Sequence, residues 1–345
     1  ATLVDEVYIY KMPLTPAEAR LRYLQAAHNS PPGKPMVSLA PTSSPPKIDG
    51  RVSDREWLQA CSVTGFVTNV TGEVSRRQTT AYIARDGRFL YLAFVSPVKR
   101  RLKADVREHD GPVWTDDAVE VFLDPTAGRE RAAYYHLIVN SLGVRYDSRG
   151  KDNPEAWEPH PLIASRVEGG VWTVEIAIPW EDLGGRPEEG SIWGLNLCRD
   201  WQNPLEWTSW AHTLDFHRPE NFGRLVFSPE APFVHVRRLG PLARGQIRLR
   251  VEVLARRATA LRANVSSEGK VVWREGRVVP ASGALLPVEF RADLERPGPY
   301  SLSLRVGPSE GTPSFGQEVA FTYYPPLRLF VVPRPERGVW EVEAD

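Results

Sequence analysis

The chain carries no surplus of charge of either sign: 43 basic side chains stand against 43 acidic ones among 345 residues. Nucleic-acid binders draw affinity from a basic surplus that neutralises phosphates, so the balance argues against that class. Long apolar runs are missing. No stretch of 18 apolar residues occurs, so no helix reads as membrane-spanning. The charged-then-apolar opening of a secretion signal is also missing. The first residues, ATLVDEVYIY, already read as a strand, as expected of a chain that begins inside a larger protein. Cysteine is scarce, with only Cys61 and Cys198. Two cysteines can pair or stay as buried free thiols, and the sequence leaves both open. The seven histidines never fall at metal-ligand spacing. No glycine-rich phosphate loop, G-x-S-x-G or H-E-x-x-H is present, so the familiar nucleotide, serine-hydrolase and zincin signatures are absent.

Short alternating strands and turn residues dominate what is there. Residues 1–29 hold VDEVYIY and then MPLTPAEARLRYLQAA, where Thr15, Pro16 and Glu18 form a helix start. Residues 30–46 are rich in proline and serine and read as a linker. Residues 47–230 alternate through TTAYIARDG, RFLYLAFVS, AVEVFLDP, AAYYHLIVN, VWTVEIAIP, IWGLNLCRD and FGRLVF. Asp86-Gly87 marks a hairpin, and SDREWLQA offers a capping box from Ser53 and Glu56. Such strands at close spacing predict an antiparallel β-sandwich. Nine of the eleven tryptophans lie between Trp57 and Trp210, and the composition shifts near residue 230. Residues 231–326 read as a second sandwich, immunoglobulin-like or fibronectin-like, and 327–345 as the start of a further segment. The fold class is therefore all-β. Asn69-Val70-Thr71 and Asn264-Val265-Ser266 match the glycosylation pattern, which is short enough to occur by chance.

One stretch stands out for chemistry: DGPVWTDDAVEVFLDP, residues 110–125. Side chains alternate along a strand, so Ala118, Glu120, Phe122 and Asp124 share one face, and Val119, Val121 and Leu123 the other. Glu120 thus opposes the valine face, where its carboxylate can accept hydrogen bonds from hydroxyls. Trp114, on the preceding loop, offers a flat apolar ring. A stacking ring beside hydroxyl acceptors is the equipment of a sugar site; the plainer reading makes Trp114 core and Glu120 a solvated strand residue. Catalysis is disfavoured, because a glycosidase needs two carboxylates about 5–10 Å apart across a cleft. Asp116, Asp117 and Glu120 are instead crowded together.

Residues 47–228 resemble carbohydrate-binding module family 9, within the wider group of DOMON-like sandwiches. The matching pieces, in order, are IDGRVSDREWLQA, TTAYIARDGRFLYLAFVS, WTDDAVEVFLDP, YYHLIVNSLGVRYDS, GGVWTVEIAIPWEDLG, IWGLNLCRDWQ and ENFGRLVF. The resemblance implies two aromatic rings clamping a terminal sugar and polar side chains reading its hydroxyls. Trp114 matches the first ring and Glu120 the strand glutamate. Asn140, Arg145 and Arg199 match the polar floor by position. The second-ring loop holds no tryptophan, which leaves Phe216 as that ring, or Trp207 or Trp210 reaching in. The resemblance also implies structural calcium, with Asp116 and Asp117 as ligand candidates. Some relatives hold haem through methionine; Met12 and Met36 lie outside the expected sandwich, so no haem is expected. Residues 1–29 resemble the closing strand and tail helix of a laminin-G or concanavalin-like domain.

The leading expectation is a secreted or cell-surface, multi-modular protein whose central module binds a polysaccharide or oligosaccharide without altering it, beside other modules of one parent chain. The alternatives are a spacer sandwich with a degenerate sugar site and a glycoside hydrolase with an unrecognised site.

Overall fold

Alternating apolar and polar positions rich in β-branched and aromatic side chains favour strands, and strands are what form. The computed structural model describes residues 33–130, 132–151, 153–308, 312–324, 329–334 and 339–344. The readings made for residues 1–29 lie outside them. In chain order the first strands are β1 (Met36–Leu39), β2 (Cys61–Val63), β3 (Val67–Thr68), β4 (Thr80–Arg85), β5 (Phe89–Pro97), β6 (Ala118–Asp124) and β7 (Tyr135–Asn140). Next come β8 (Arg145–Arg149), β9 (Leu162–Glu168), β10 (Val171–Pro179), β11 (Ile192–Gln202), β12 (Leu205–Ser209) and β13 (Gly223–Phe227). β14 (Phe233–Arg238), β15 (Gln246–Leu254), β16 (Thr259–Ser267), β17 (Lys270–Val279), β18 (Leu286–Asp293), β19 (Gly298–Gly307) and β20 (Phe315–Tyr323) follow. β21 (Leu329–Arg334) and β22 (Val339–Ala344) form a hairpin of their own.

Two sheets face each other. The first runs β17-β16-β19-β20-β1-β13-β11-β6-β7-β8, with β12 and β3 added beside β11. The second runs β18-β15-β14-β2-β4-β5-β10-β9. Both sheets therefore continue from the 47–230 stretch into the strands that follow it. The seams are β1 with β20, through Met36↔Gly316 and Val37↔Phe315, and β2 with β14, through Ser62↔His235. One apolar cluster fills the space between the sheets and draws on both halves, from Val121, Leu197 and Trp172 to Val265, Phe290 and Phe315.

The linker reading of residues 30–46 needs correction at its centre. Met36–Leu39 is a strand, Val37 and Leu39 are buried, and β1 lies parallel to β13. The run MVSLA is apolar enough to pack between two strands, and Pro35 and Pro41 merely bracket it. Half of the capping box at Ser53 forms: Ser53 Oγ accepts from the Glu56 amide (3.3 Å), while the Glu56 carboxylate accepts from the Ser53 hydroxyl (3.0 Å), and the segment closes as turns, not as a helix. The Asp86-Gly87 hairpin joins β4 to β5, with Asp86 Oδ1 accepting from the amides of Arg88 and Phe89. Glu175 of β10 pins the IDG turn, accepting from the amides of Asp49 (3.0 Å) and Gly50 (2.7 Å) and from Trp57 Nε1 (2.9 Å). Cys61 and Cys198 are free thiols, both buried, which settles the open question about them.

Candidate functional site

The outer face of the first sheet, away from the shared core, carries a cavity of about 410 Å³. Strand alternation decides which side chains reach it. Val119, Val121 and Leu123 enter the core, so Glu120 points outward. Register then sets its neighbours: Glu120 lies opposite Ile138 of β7 and Cys198 of β11, and Ile138 lies opposite Tyr146 of β8. One step along, Asp200 of β11 lies between Ala118 of β6 and Trp207 of β12. His136 of β7 lies opposite Phe122 and stacks on its ring, with centroids 4.0 Å apart. Loop residues Leu214 to His217 and Asn69 complete the lining.

Two indole rings flank this cavity. Trp114 is 47 % exposed and Trp207 45 % exposed. Trp114 rides on a short 3-10 turn, Val113–Thr115, whose Val113 is buried. Its ring meets Tyr146 edge-on, with centroids 5.2 Å apart. The turn is held firmly. Asp116 accepts from the amides of Asp105 (2.9 Å) and Val106 (3.0 Å) and from Asn140 Nδ2 (3.0 Å). Asp117 accepts from the Lys103 amide (2.7 Å) and the Gln202 amide (3.2 Å), and pairs with Arg100 (3.3 Å) and Arg199 (3.5 Å). Gln202 Nε2 donates to the carbonyls of Trp114 (3.1 Å) and Asp116 (2.9 Å).

Of the candidates named from sequence, Trp114, Glu120 and Phe216 line the cavity; Asn140, Arg145 and Arg199 do not. Asn140 is buried and fully used, donating to Asp116 and Val106 and accepting from the amides of Leu142 and Val144 (both 3.0 Å). Arg145 pairs with Asp147 at 2.6 Å. Arg199 is on the core side, with its guanidinium over the rings of Trp172 (4.6 Å) and Trp201 (4.0 Å). Burial lowers its pKa to about 10 against the pull of Asp117 and Asp200. Phe216 is packed into an aromatic cluster with Phe122, Tyr134, Phe222 and Cys198, so little of its ring faces the cavity. Trp207 presents the open ring, and Trp210 is buried.

Asp116 and Asp117 do not fit a calcium ligand set. Their oxygens are turned to N–H donors and guanidinium groups, which a cation would have to displace. The grouping of ligating side chains among the described residues is His109, Asp147 and Glu158, and Arg145 already stands against that carboxylate.

Sequence reasoning missed His136 and Asp200, although alternation along YYHLIVN and CRDWQ places both outward. Glu120 accepts from or shares a proton with His136 Nε2 at 2.7 Å. Burial pushes the Glu120 carboxyl up to about 7, partly offset by contact with Asp200. Asp200 is raised well above the ordinary carboxyl range, first by burial and then by the Glu120 charge beside it. The two carboxyl groups lie within hydrogen-bonding reach of each other.

The family described as "Carbohydrate family 9 binding domain-like" matches residues 48–228. The chain belongs to carbohydrate-binding module family 9. Solved structures similar to it include two family 9 modules from Caldicellulosiruptor kristjanssonii. One, in complex with glucose, is 18 % identical, covers 56 % of this chain and 95 % of its own, and has a TM-score of 0.43. The other, in complex with cellotriose, is 19 % identical, covers 56 % and 93 %, and scores 0.42. A putative carbohydrate-binding protein from Bacteroides uniformis is 18 % identical, covers 57 % and 100 %, and scores 0.45. No functionally curated protein matches the chain. Within the family 9 stretch lie every strand and loop that line the cavity.

Proposed function

We propose that this family 9 chain binds carbohydrate in the cavity between Trp114 and Trp207 and does not cleave it. One observation carries the reading: two half-exposed indole rings flank a cavity whose floor is made of hydrogen-bonding groups, Glu120, His136 and Asp200. Large exposed aromatic rings are costly to leave in water, and a pyranose presents an apolar C–H face that covers them. The sugar's hydroxyls then meet acceptors at the edges of the rings. Contact between Glu120 and Asp200 favours binding over hydrolysis, since a hydrolytic carboxyl pair stands about 5–10 Å apart to admit the sugar between them. The chain serves as an accessory module of a secreted or surface protein that acts on polysaccharide. No helix among the described residues is long and apolar enough to cross a membrane.

A panel of soluble oligosaccharides and polysaccharides tests this directly, with binding followed by tryptophan fluorescence and products by chromatography. The expected result is saturable binding to at least one glycan, lost in Trp114→Ala and Trp207→Ala, with no product. A panel with no binder would overturn the reading, and product formation would replace it with hydrolysis.

A further inference from the structure

The charge of the cavity is one-sided. Glu120, Asp200 and Asp215 line it, and no lysine or arginine does. Asp200 is 1 % exposed, and neither of its carboxylate oxygens finds a donor in the protein. The carboxyl of Glu120 stands beside it, and with that group it can share a proton but not a charge. Arg199, adjacent in the chain, points to the opposite face and is spent on Asp117 and the rings of Trp172 and Trp201. A buried carboxylate with no donor is costly, and the Arg199 charge across the strand offsets that cost only in part, so a proton or a ligand cation must supply what is missing.

The walls favour a cation as well. The faces of Trp114 and Trp207 are negative, and a positive group held near an indole face is attracted to it. A neutral hydroxyl satisfies one acceptor at a time and leaves the charge uncompensated. An ammonium brings three N–H donors and a full positive charge. A uronic acid would add a further carboxylate to the three already present.

We infer that the cavity takes a sugar bearing a free ammonium group, an unacetylated amino sugar of the glucosamine type, with the nitrogen against Asp200 and Glu120 and the ring between Trp114 and Trp207. The inference rests on the carbohydrate-binding reading and narrows it to one ligand class. The titratable and charged groups around the acid pair are Cys198 and Arg199 on β11, Asp117 just before β6, His136 on β7, and Asp215 and His217 on the loop above. As pH falls through 7 the Glu120 carboxyl takes up a proton and the negative charge that would hold the ammonium is lost. Ammonium binding should therefore weaken as pH falls from 7 to 5.

The experiment is calorimetric titration of the full chain with three tetrasaccharides of equal length: fully deacetylated chitotetraose, its N-acetylated counterpart, and cellotetraose. At pH 7 the deacetylated tetramer should bind at least about tenfold tighter than the other two. That preference should shrink toward pH 5 and vanish in Asp200→Asn, whose folding is checked by its melting curve. The ranking in the unsubstituted chain does not depend on that variant. Equal or tighter binding of cellotetraose or the acetylated tetramer would overturn the amino-sugar inference and leave carbohydrate binding intact. No binding of any tetramer would overturn it too, and the wider glycan panel then decides whether carbohydrate binding itself stands.

Discussion

Seven of the described tryptophans, Trp57, Trp157, Trp172, Trp180, Trp193, Trp201 and Trp210, are buried, while Trp114 and Trp207 keep nearly half their surface free. Removing an exposed ring takes little from the fold and much from a ligand that covers it. Trp114→Ala and Trp207→Ala should each weaken glycan binding by about tenfold or more, roughly the worth of 1.4 kcal/mol of lost contact, with the melting temperature nearly unchanged. Phe216→Ala should do the reverse. Its ring is packed against Phe122, so its loss costs about 3 kcal/mol of stability and appears first in the melting curve. The acid pair adds a pH signature. Glu120 titrates near 7 in the folded chain against 4.5 ordinarily, so its share of stability is full below 4.5 and is lost as pH rises through 7. His235 works the other way, held neutral by burial down to about pH 4, so its share is lost as pH falls from 6.5 toward 4. Between pH 4.5 and 6.5 the two slopes oppose each other, so thermal stability should run through a broad maximum there, and Asp200→Asn should flatten the alkaline flank. A melting temperature that climbs steadily to pH 9 would contradict the acid pair. Trp114 and Glu120 were legible because alternation and a single loop position suffice to place them. For the second ring the sequence left Phe216, Trp207 and Trp210 open, because Trp207 reaches the cavity through pairing of β12 with β11, and no local pattern announces that register.

At the scale of elements, the segment before β6 is a strap tied down by two neighbouring aspartates. Asp116 holds residues 105–106 and Asn140; Asp117 holds Lys103, Arg100 and the end of β11. An Asp116→Ala chain leaves two amides and an amide side chain without their acceptor. Each such buried loss costs about 1–3 kcal/mol, so the melting temperature should fall by several degrees and glycan affinity with it, since the turn carries Trp114. Asp116→Asn should recover part of both. Intact affinity in the alanine variant would show that Trp114 is placed by its own contacts instead. The strands themselves were readable from period-two alternation, and β4 to β6, β10 and β11 lie close to where it puts them. β1 and β14 were not, because MVSL and FVHVRR are short runs beside prolines, and their burial depends on partners far along the chain. Asn140 and Arg199 were misplaced for a related reason: position on a strand names a face, whereas the hydrogen bonds available decide whether a polar group reaches solvent.

At the scale of the molecule, both sheets pass without a break from the family 9 strands into β14 to β20. Ending the chain at residue 230 removes the strand beside β2 and the strand beside β1, and opens one flank of the common core. Such a shortened chain should melt more than about 10 °C below the full one, a loss of several kcal/mol, or bind an apolar dye when cold. Equal melting temperatures would show that the two halves are thermodynamically independent. The continuity also has a mechanical meaning. A glycan under tension pulls at the outer face of the first sheet, and the load passes sideways from strand to strand instead of through a hinge. The ladder is thinnest at the seam, where two registered pairs join β1 to β20 and one joins β2 to β14. The Val74 amide, which donates to Ala320 (2.8 Å), and Glu73, which accepts from Thr322, act there as rivets. Under a steady pull the grip on the sugar would keep its heading, and the first place to crease would be that seam.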